Sequence, residues 1–292
     1  MLLKMKKYLI LFVFNFCFLI ASYAKIDFSI YEDSLAVLAP KILNGSSNQE
    51  KQIANKEFIS ILKRTLSKSG SYDYPFTKLK TIAVLRSTDN VFRIFNWNLP
   101  LENGKYMYYC IVQVFDKKKK STKEYELIDS SNNSRTVKNK TLTTDNWYGS
   151  HYYQIITSKR KSKKYYTLLG WDGNNKFTTK KIIDVLFFDK NNEPRFGLGV
   201  FDMGEKVIYK RVVFEYTKEA VMSLKYHSPK KTIVFDNIAP MSEELKGVAQ
   251  FSGPDGRFNA FKYKKGNWLY IEDYDARNAA SILNEKKYNT PK

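Results

Sequence analysis

Two hydrophobic periods divide the chain. At 53–66 apolar residues return at helical spacing, as Ile53, Phe58, Ile59, Leu62 and Leu66. They follow Ser47-Asn48-Gln49-Glu50, a pattern in which a hydroxyl and a carboxylate each satisfy an unpaired N–H of the first turn. Gly70 supplies the stop. The spacing predicts an amphipathic helix covering an edge or face of a larger body. From Thr81 the period shortens to that of β-strands, in aromatic and β-branched runs parted by turn residues. These are 81–86, 91–97, 106–115, 124–128, 151–157, 165–171, 181–188, 196–201, 206–216, 220–226, 232–235, 257–263 and 268–272. Short connections join antiparallel neighbours, whereas parallel strands need long crossovers. The pattern therefore predicts a mainly β protein, a large antiparallel meander with an N-terminal helical segment. A sandwich, an irregular barrel and an incomplete propeller all satisfy it.

Ahead of the helix, 25–44 holds Leu35, Val37, Leu38, Ile42 and Leu43 around a breaker, Pro40, and reads as helical turns packed on the body. The first residues read differently. Lys4, Lys6 and Lys7 precede a nearly unbroken apolar run at 8–20, and Ser22-Tyr23-Ala24 offers small residues for cleavage, the three parts of a secretory signal. A membrane span needs about 20 consecutive apolar residues, more than this run has. The organisation is read as a signal peptide at 1–24, a helical segment at 25–79, a β body at 80–275 and a polar tail at 276–292. Such a protein is exported, to the periplasm or beyond. One internal echo stands out: Phe92 to Trp97 and Tyr166 to Trp171 each lead through a polar turn into a long strand that ends in Phe115-Asp116 or Phe188-Asp189.

Composition adds 20 Phe, 21 Tyr and four Trp, which suit half-buried strands. The formal net charge is +20, a balance that attracts polyanions. The basic residues are mostly lysine, however, and Lys, Asn, Ile, Tyr and Phe are abundant together, as an AT-rich coding sequence produces by itself. The runs 117–120 and 159–164 fall between strands, where charge is solvated. No specific nucleic-acid site is expected, while peripheral association with an anionic membrane surface stays open. Outside the leader the sequence has one cysteine, Cys110, inside Tyr108-Tyr109-Cys110-Ile111-Val112. An internal disulfide is thereby excluded, and the thiol reads as a small buried hydrophobe.

Candidate chemistry is sparse. His151 and His227 lie in no metal-ligand spacing, no G-x-S-x-G occurs, and Asp189-Lys190-Asn191-Asn192-Glu193 departs from a calcium loop at Pro194 and Val200. Neither a metal nor a cofactor is expected. Paired acids drawn from Asp172, Asp184, Asp202, Asp255 and Asp273 leave a hydrolase of glycans or another envelope polymer as the alternative to a noncatalytic protein. Asp184 interrupts an apolar strand, either facing outward or as a buried acid. The tryptophans are expected first to pack in the core; as aromatic platforms for ligand binding the candidates are Trp97, Trp171 with Asp172 beside it, and above all Trp147 and Tyr148. The last two lie in Asp145-Asn146-Trp147-Tyr148-Gly149, a loop where a large ring needs a reason to be.

The strings 92–97, 166–173, 180–188, Thr232-Ile233-Val234-Phe235-Asp236-Asn237-Ile238-Ala239-Pro240, Gly253-Pro254-Asp255-Gly256 and Lys265-Gly266-Asn267-Trp268 resemble a family of uncharacterised exported proteins of Bacteroidetes-type bacteria. The resemblance spans most of 80–278. It implies an envelope location and a mainly β body, and it assigns no activity and no site residues. These readings together predict an exported, noncatalytic envelope protein that binds a partner, another envelope protein or a glycan, through its inter-strand loops.

Overall fold

The computed structural model describes residues 26–131 and 137–277. The signal-peptide reading of 1–24 and nearly all of the tail lie outside them. Two helices open the described chain, α1 (Ser29–Asn44) and α2 (Asn48–Leu66). The Ser47 hydroxyl caps α2 by accepting the Glu50 N–H at 3.2 Å, as its sequence predicts. The Glu50 carboxylate reaches one residue further than the capping pattern, taking the N–H and hydroxyl of Ser46. Pro40 does not break α1. It is exposed, and the carbonyl it leaves without a donor belongs to the partly exposed Ala36. Ile53 is exposed as well, and Ala54 and Asn55 take its place on the buried face beside Phe58 and Leu62.

The rest is mainly β, with 44% of residues in strands against 19% in helices. β1 (Ala83–Arg86), β2 (Phe92–Pro100), β3 (Tyr106–Asp116) and β4 (Ser121–Leu127) form a first sheet in sequence order. β5 (His151–Arg160), β6 (Lys163–Asp172) and β7 (Thr178–Phe188) continue as a second sheet, in which β8 (Pro194–Phe196) and β11 (Val212–Thr217) both pair with β7. The third sheet takes β9 (Phe201–Asp202), β10 (Ile208–Tyr209), β12 (Leu224–His227), β13 (Thr232–Pro240), β14 (Ser252–Lys264) and β15 (Asn267–Ile271), in the order β10-β9-β15-β14-β13-β12. Neighbours are antiparallel except β9 beside β15, and the sheets include one curled into a half-barrel. Two runs that read as single strands, 196–201 and 206–216, are each divided between two sheets. The first breaks at Gly197, whose φ of 91° leaves the extended region and where a Cβ would lie 2.5 Å from the Lys140 carbonyl oxygen.

Strand alternation distributes side chains among three core layers. Phe95, Trp97 and Ile111 pack with Phe58 and Leu62 of the helices. Their neighbours Ile94, Cys110 and Val112 face Leu168, Ile182 and Leu186 of the second sheet. The next residues along, Leu169, Ile183 and Val185, meet Phe201, Ile233, Phe235 and Phe261 of the third. A helix pair and three sheets are thus stacked face to face, and the inner sheets have no water-facing side. That is why strings such as Phe92-Arg93-Ile94-Phe95 and Ile182-Ile183 lack polar alternation. Cys110 is free and buried, and burial pushes its thiol pKa up, which keeps it unreactive.

The echo corresponds to equivalent hairpins, β2–β3 and β6–β7. In each, the aspartate after the final phenylalanine closes the next turn, Asp116 accepting the Lys118 N–H at 2.9 Å and Asp189 the Asn191 N–H at 2.8 Å.

Candidate functional site

Trp147 follows a short 3-10 turn at Thr144–Asn146, but its ring is fully buried, which corrects the expectation of an exposed platform. The reason is a chain of hydrogen bonds. The indole N–H donates to the Tyr152 hydroxyl at 3.0 Å, and that hydroxyl donates to Asp184 Oδ2 at 3.1 Å. Asp184 Oδ1 lies 2.9 Å from Arg211 Nη2, both side chains wholly buried, and Arg211 Nη1 donates to the Val137 carbonyl. The network fastens the long β4–β5 connection to β7 and to the start of β11. Arg211 carries no signal of its own in the sequence. Only the acid interrupting β7 hinted that a buried partner was required.

The other rings are also structural. Tyr148 is buried with the Arg211 guanidinium 5.8 Å from its ring centre, and burial raises its pKa. Trp97 lies on the opposite side of the first sheet, where its N–H donates to Asn55 Oδ1 at 2.7 Å and its ring meets Phe58 edge-on. Trp268 is buried with its N–H on Thr167 Oγ1. Trp171 alone among the four is partly exposed, edge-on to Tyr106 at 5.3 Å. Of the five candidates, the structure keeps Trp171 with Asp172 at the end of β6 and Trp147 with Tyr148 in the core, and it places Trp97 under the helices.

Asp172 is buried, and its Oδ1 accepts from the Tyr108 hydroxyl at 2.8 Å and the Asn174 N–H at 2.7 Å. Lys180 Nζ stands 3.7 Å from Oδ2. Burial raises the carboxyl's pKa, partly opposed by Lys180 and the two donors. The neighbouring Asp129 accepts the N–H groups of Ser131, Gly149 and Tyr108. Two-carboxylate hydrolysis needs one acid free to protonate a leaving oxygen and another free for water or substrate. Here both carboxylates hold backbone in place, and the cluster fixes the β6–β7 turn. His151 is partly buried with Nδ1 unpartnered, and burial lowers its pKa; His227 is exposed. Among the described residues no group of His, Cys, Asp and Glu could hold a metal ion.

The opposite end of the sheets is different. In a meander every second turn returns to the same end, so the turns of β1–β2, β3–β4, β5–β6 and β7–β8 lie together, and those of β12–β13 and β14–β15 join them. Contacts link the turns across the layers. Asp89 accepts Lys164 Nζ at 2.8 Å and the Tyr166 hydroxyl, and its carbonyl accepts Lys117 Nζ. Tyr125 reaches the Asn192 carbonyl, Tyr165 reaches that of Gly266, and Tyr263 N–H donates to Lys231. The lysine runs are solvated turns, as their sequence predicts, but they share one surface: 117–120, 159–164 with Arg160, then Lys190, Lys230, Lys231, Lys264 and Lys265. The acids of the same turns, Asp89, Asp116, Asp189 and Glu193, are outnumbered. Among the described residues only Lys164 of this set has a carboxylate within ion-pair distance.

A cavity of about 860 Å³ opens in this end, between the β5–β6 turn, the β7–β8 turn and the segment after β8. Tyr165, Phe187, Phe188 and Leu198 line it together with Lys161, Lys163, Lys190 and one acid, Asp189, which is paired with Arg195. Arg160 Nη1 donates to the Gly199 carbonyl at 2.9 Å, tying two of its walls together. It is larger than the hollow of about 500 Å³ beside Arg257 and Asp275 and the groove of about 350 Å³ between α1 and α2. No helix of the described residues is long and apolar enough to cross a membrane. Comparison with family models, with curated proteins and with solved structures finds no match to this chain.

Proposed function

We propose that this is an exported, noncatalytic binding protein that engages an anionic partner of the cell envelope through the hairpin turns gathered at one end. The observation that carries the reading is the convergence of the lysine runs. Lysines dispersed over a surface add only to net charge. Lysines on adjoining turns sum their fields, because charges within a Debye length of about 8 Å at physiological ionic strength act together. Three acids elsewhere support the same reading, since Asp172, Asp129 and Asp184 are committed to backbone, tyrosine and arginine partners.

Retention on immobilised heparin, a generic polyanion, measured against salt concentration, is the direct test. Binding is expected to fall steeply with salt. The triple variant K118N/K119N/K161N should flatten that dependence, while K105N/K176N/K246N, removing equal charge outside this end, should leave it nearly unchanged. Equal effects from the two triples would mean that net charge alone is responsible, and the reading would fall.

A further inference from the structure

Resting on that reading, and naming the partner it leaves open, we infer that the cavity under the β5–β6 turn receives the headgroup and first chain carbons of an anionic phospholipid, docking the turn end on a bilayer. The cavity is amphipathic. Its lining joins the rings of Tyr165, Phe187 and Phe188 and the side chain of Leu198 with Lys161, Lys163 and Lys190, which have no carboxylate within ion-pair distance among the described residues, and its one acid, Asp189, is taken up by Arg195 at 2.7 Å. A soluble phosphate would satisfy the lysines and leave apolar walls in water. A lipid phosphate carries its own hydrocarbon to cover them.

The turn backbones add a second feature of the lysines at this end. All six turns at this end hold a residue other than glycine at positive φ. In β1–β2 and β7–β8 it is asparagine, Asn90 at 54° and Asn192 at 60°, which tolerates that region. In the other four it is lysine, Lys120 at 51°, Lys161 at 54°, Lys231 at 49° and Lys265 at 50°. A lysine there is strained by its Cβ. An AT-rich coding bias supplies asparagine as readily as lysine, so composition does not explain the choice. Four of the six turns thus hold a strained, exposed lysine, and away from this end the β9–β10 turn holds Glu205 at 50° and Lys206 at 66°, so the strain accompanies the charge here without being confined to it. The chain also enters the body here. Phe28, just before α1, packs on Tyr74, while the adjoining Tyr72 stacks on Phe115 next to the β1–β2 turn.

The test uses the full chain without its leader, in sedimentation with vesicles of phosphatidylglycerol and phosphatidylcholine against vesicles of phosphatidylcholine alone. The protein should bind the anionic vesicles at least tenfold more tightly and lose that preference at high salt. K120N/K161N/K231N/K265N should melt at a higher temperature than the parent yet bind the anionic vesicles at least tenfold more weakly. L198W, which fills the cavity and keeps every charge, should bind them at least fivefold more weakly, with heparin retention unchanged. Anionic-vesicle binding that L198W leaves intact would overturn the inference, as would heparin retention without vesicle binding; in both cases the polyanion reading stands. Loss of heparin retention in the parent would remove both. Should L198W not fold, methyl NMR replaces it: monomeric dihexanoyl phosphatidylglycerol should shift the Leu198 methyl signals and leave those of Val37 on α1 in place. An equal shift with inorganic phosphate would assign the cavity to a free anion and overturn the lipid.

Discussion

Asp184 and Arg211 face each other where neither meets water, and the consequence is asymmetric. A buried ion pair is costly to break from one side and cheap to replace whole. Arg211→Met should therefore destabilise the protein by about 3–5 kcal/mol, while D184L/R211M should recover much of the loss, as read from the midpoint of urea unfolding. Trp147→Phe exchanges the indole for a smaller phenyl, removing the N–H that holds Tyr152 and leaving a cavity beside it, and should cost about 2–4 kcal/mol. It should leave heparin retention untouched, because the ring is not part of the binding surface. Asp172 makes a prediction with pH. Its folded pKa is raised by burial, so ionising it works against the fold. The stability it lends is present below the ordinary value of 3.8 and lost as pH rises through the raised one. The melting temperature of D172N relative to the parent should accordingly improve from pH 4 toward pH 7; a difference constant with pH would contradict it. Trp147 was visible in the sequence as a misfit. Its reason was not, because Tyr152 lies only one strand start away while Asp184 and Arg211 are brought to it by the fold alone.

Elements were more legible than contacts. The hairpin at Lys264-Lys265-Gly266-Asn267 declares itself, since both central residues take positive φ, Lys265 at 50° and Gly266 at 89°, as a type I′ turn requires. The cap on α2 did too, and Ser47→Ala should cost about 1 kcal/mol in thermal or chemical unfolding. Less legible were the strands that change sheet. The run 196–201 is continuous in hydrophobicity because both its ends, Phe196 and Phe201, are buried in different layers, whereas 206–216 opens on the exposed Val207 and Ile208 before the buried Val212; in both, period alone cannot record a change of partner. The exposed Ile53 is the same lesson on a helix, an apolar residue at the right spacing with nothing opposite it. The turn lysines belong at this scale as well. Lys161→Gly removes a Cβ from a left-handed position and should stabilise the fold by about 1 kcal/mol, a gain that a residue chosen for its conformation would not leave available.

At the scale of the molecule, the connectivity of a meander turns local lysine runs into a global asymmetry. The parity of the strands assigns alternate turns to one end, so the grouping of 117–120 with 159–164 was implicit in the order of strands. That the turns of β12–β13 and β14–β15 share this end was not, because it depends on how the chain crosses into the third sheet at β9 and β10. The opposite end has a turn at 101–105 with Glu102 and a 3-10 turn at Glu243–Leu245, and there the charges are mixed.

A body charged in this way is electrically lopsided along its strands. Near an anionic surface it feels a torque before it makes contact, and it arrives with the turns leading. Encounter should then be fast and strongly slowed by salt, whereas escape should depend mostly on what the leading end has grasped. The simple rule that antiparallel strands return every second turn to the same place thus gives the molecule a front.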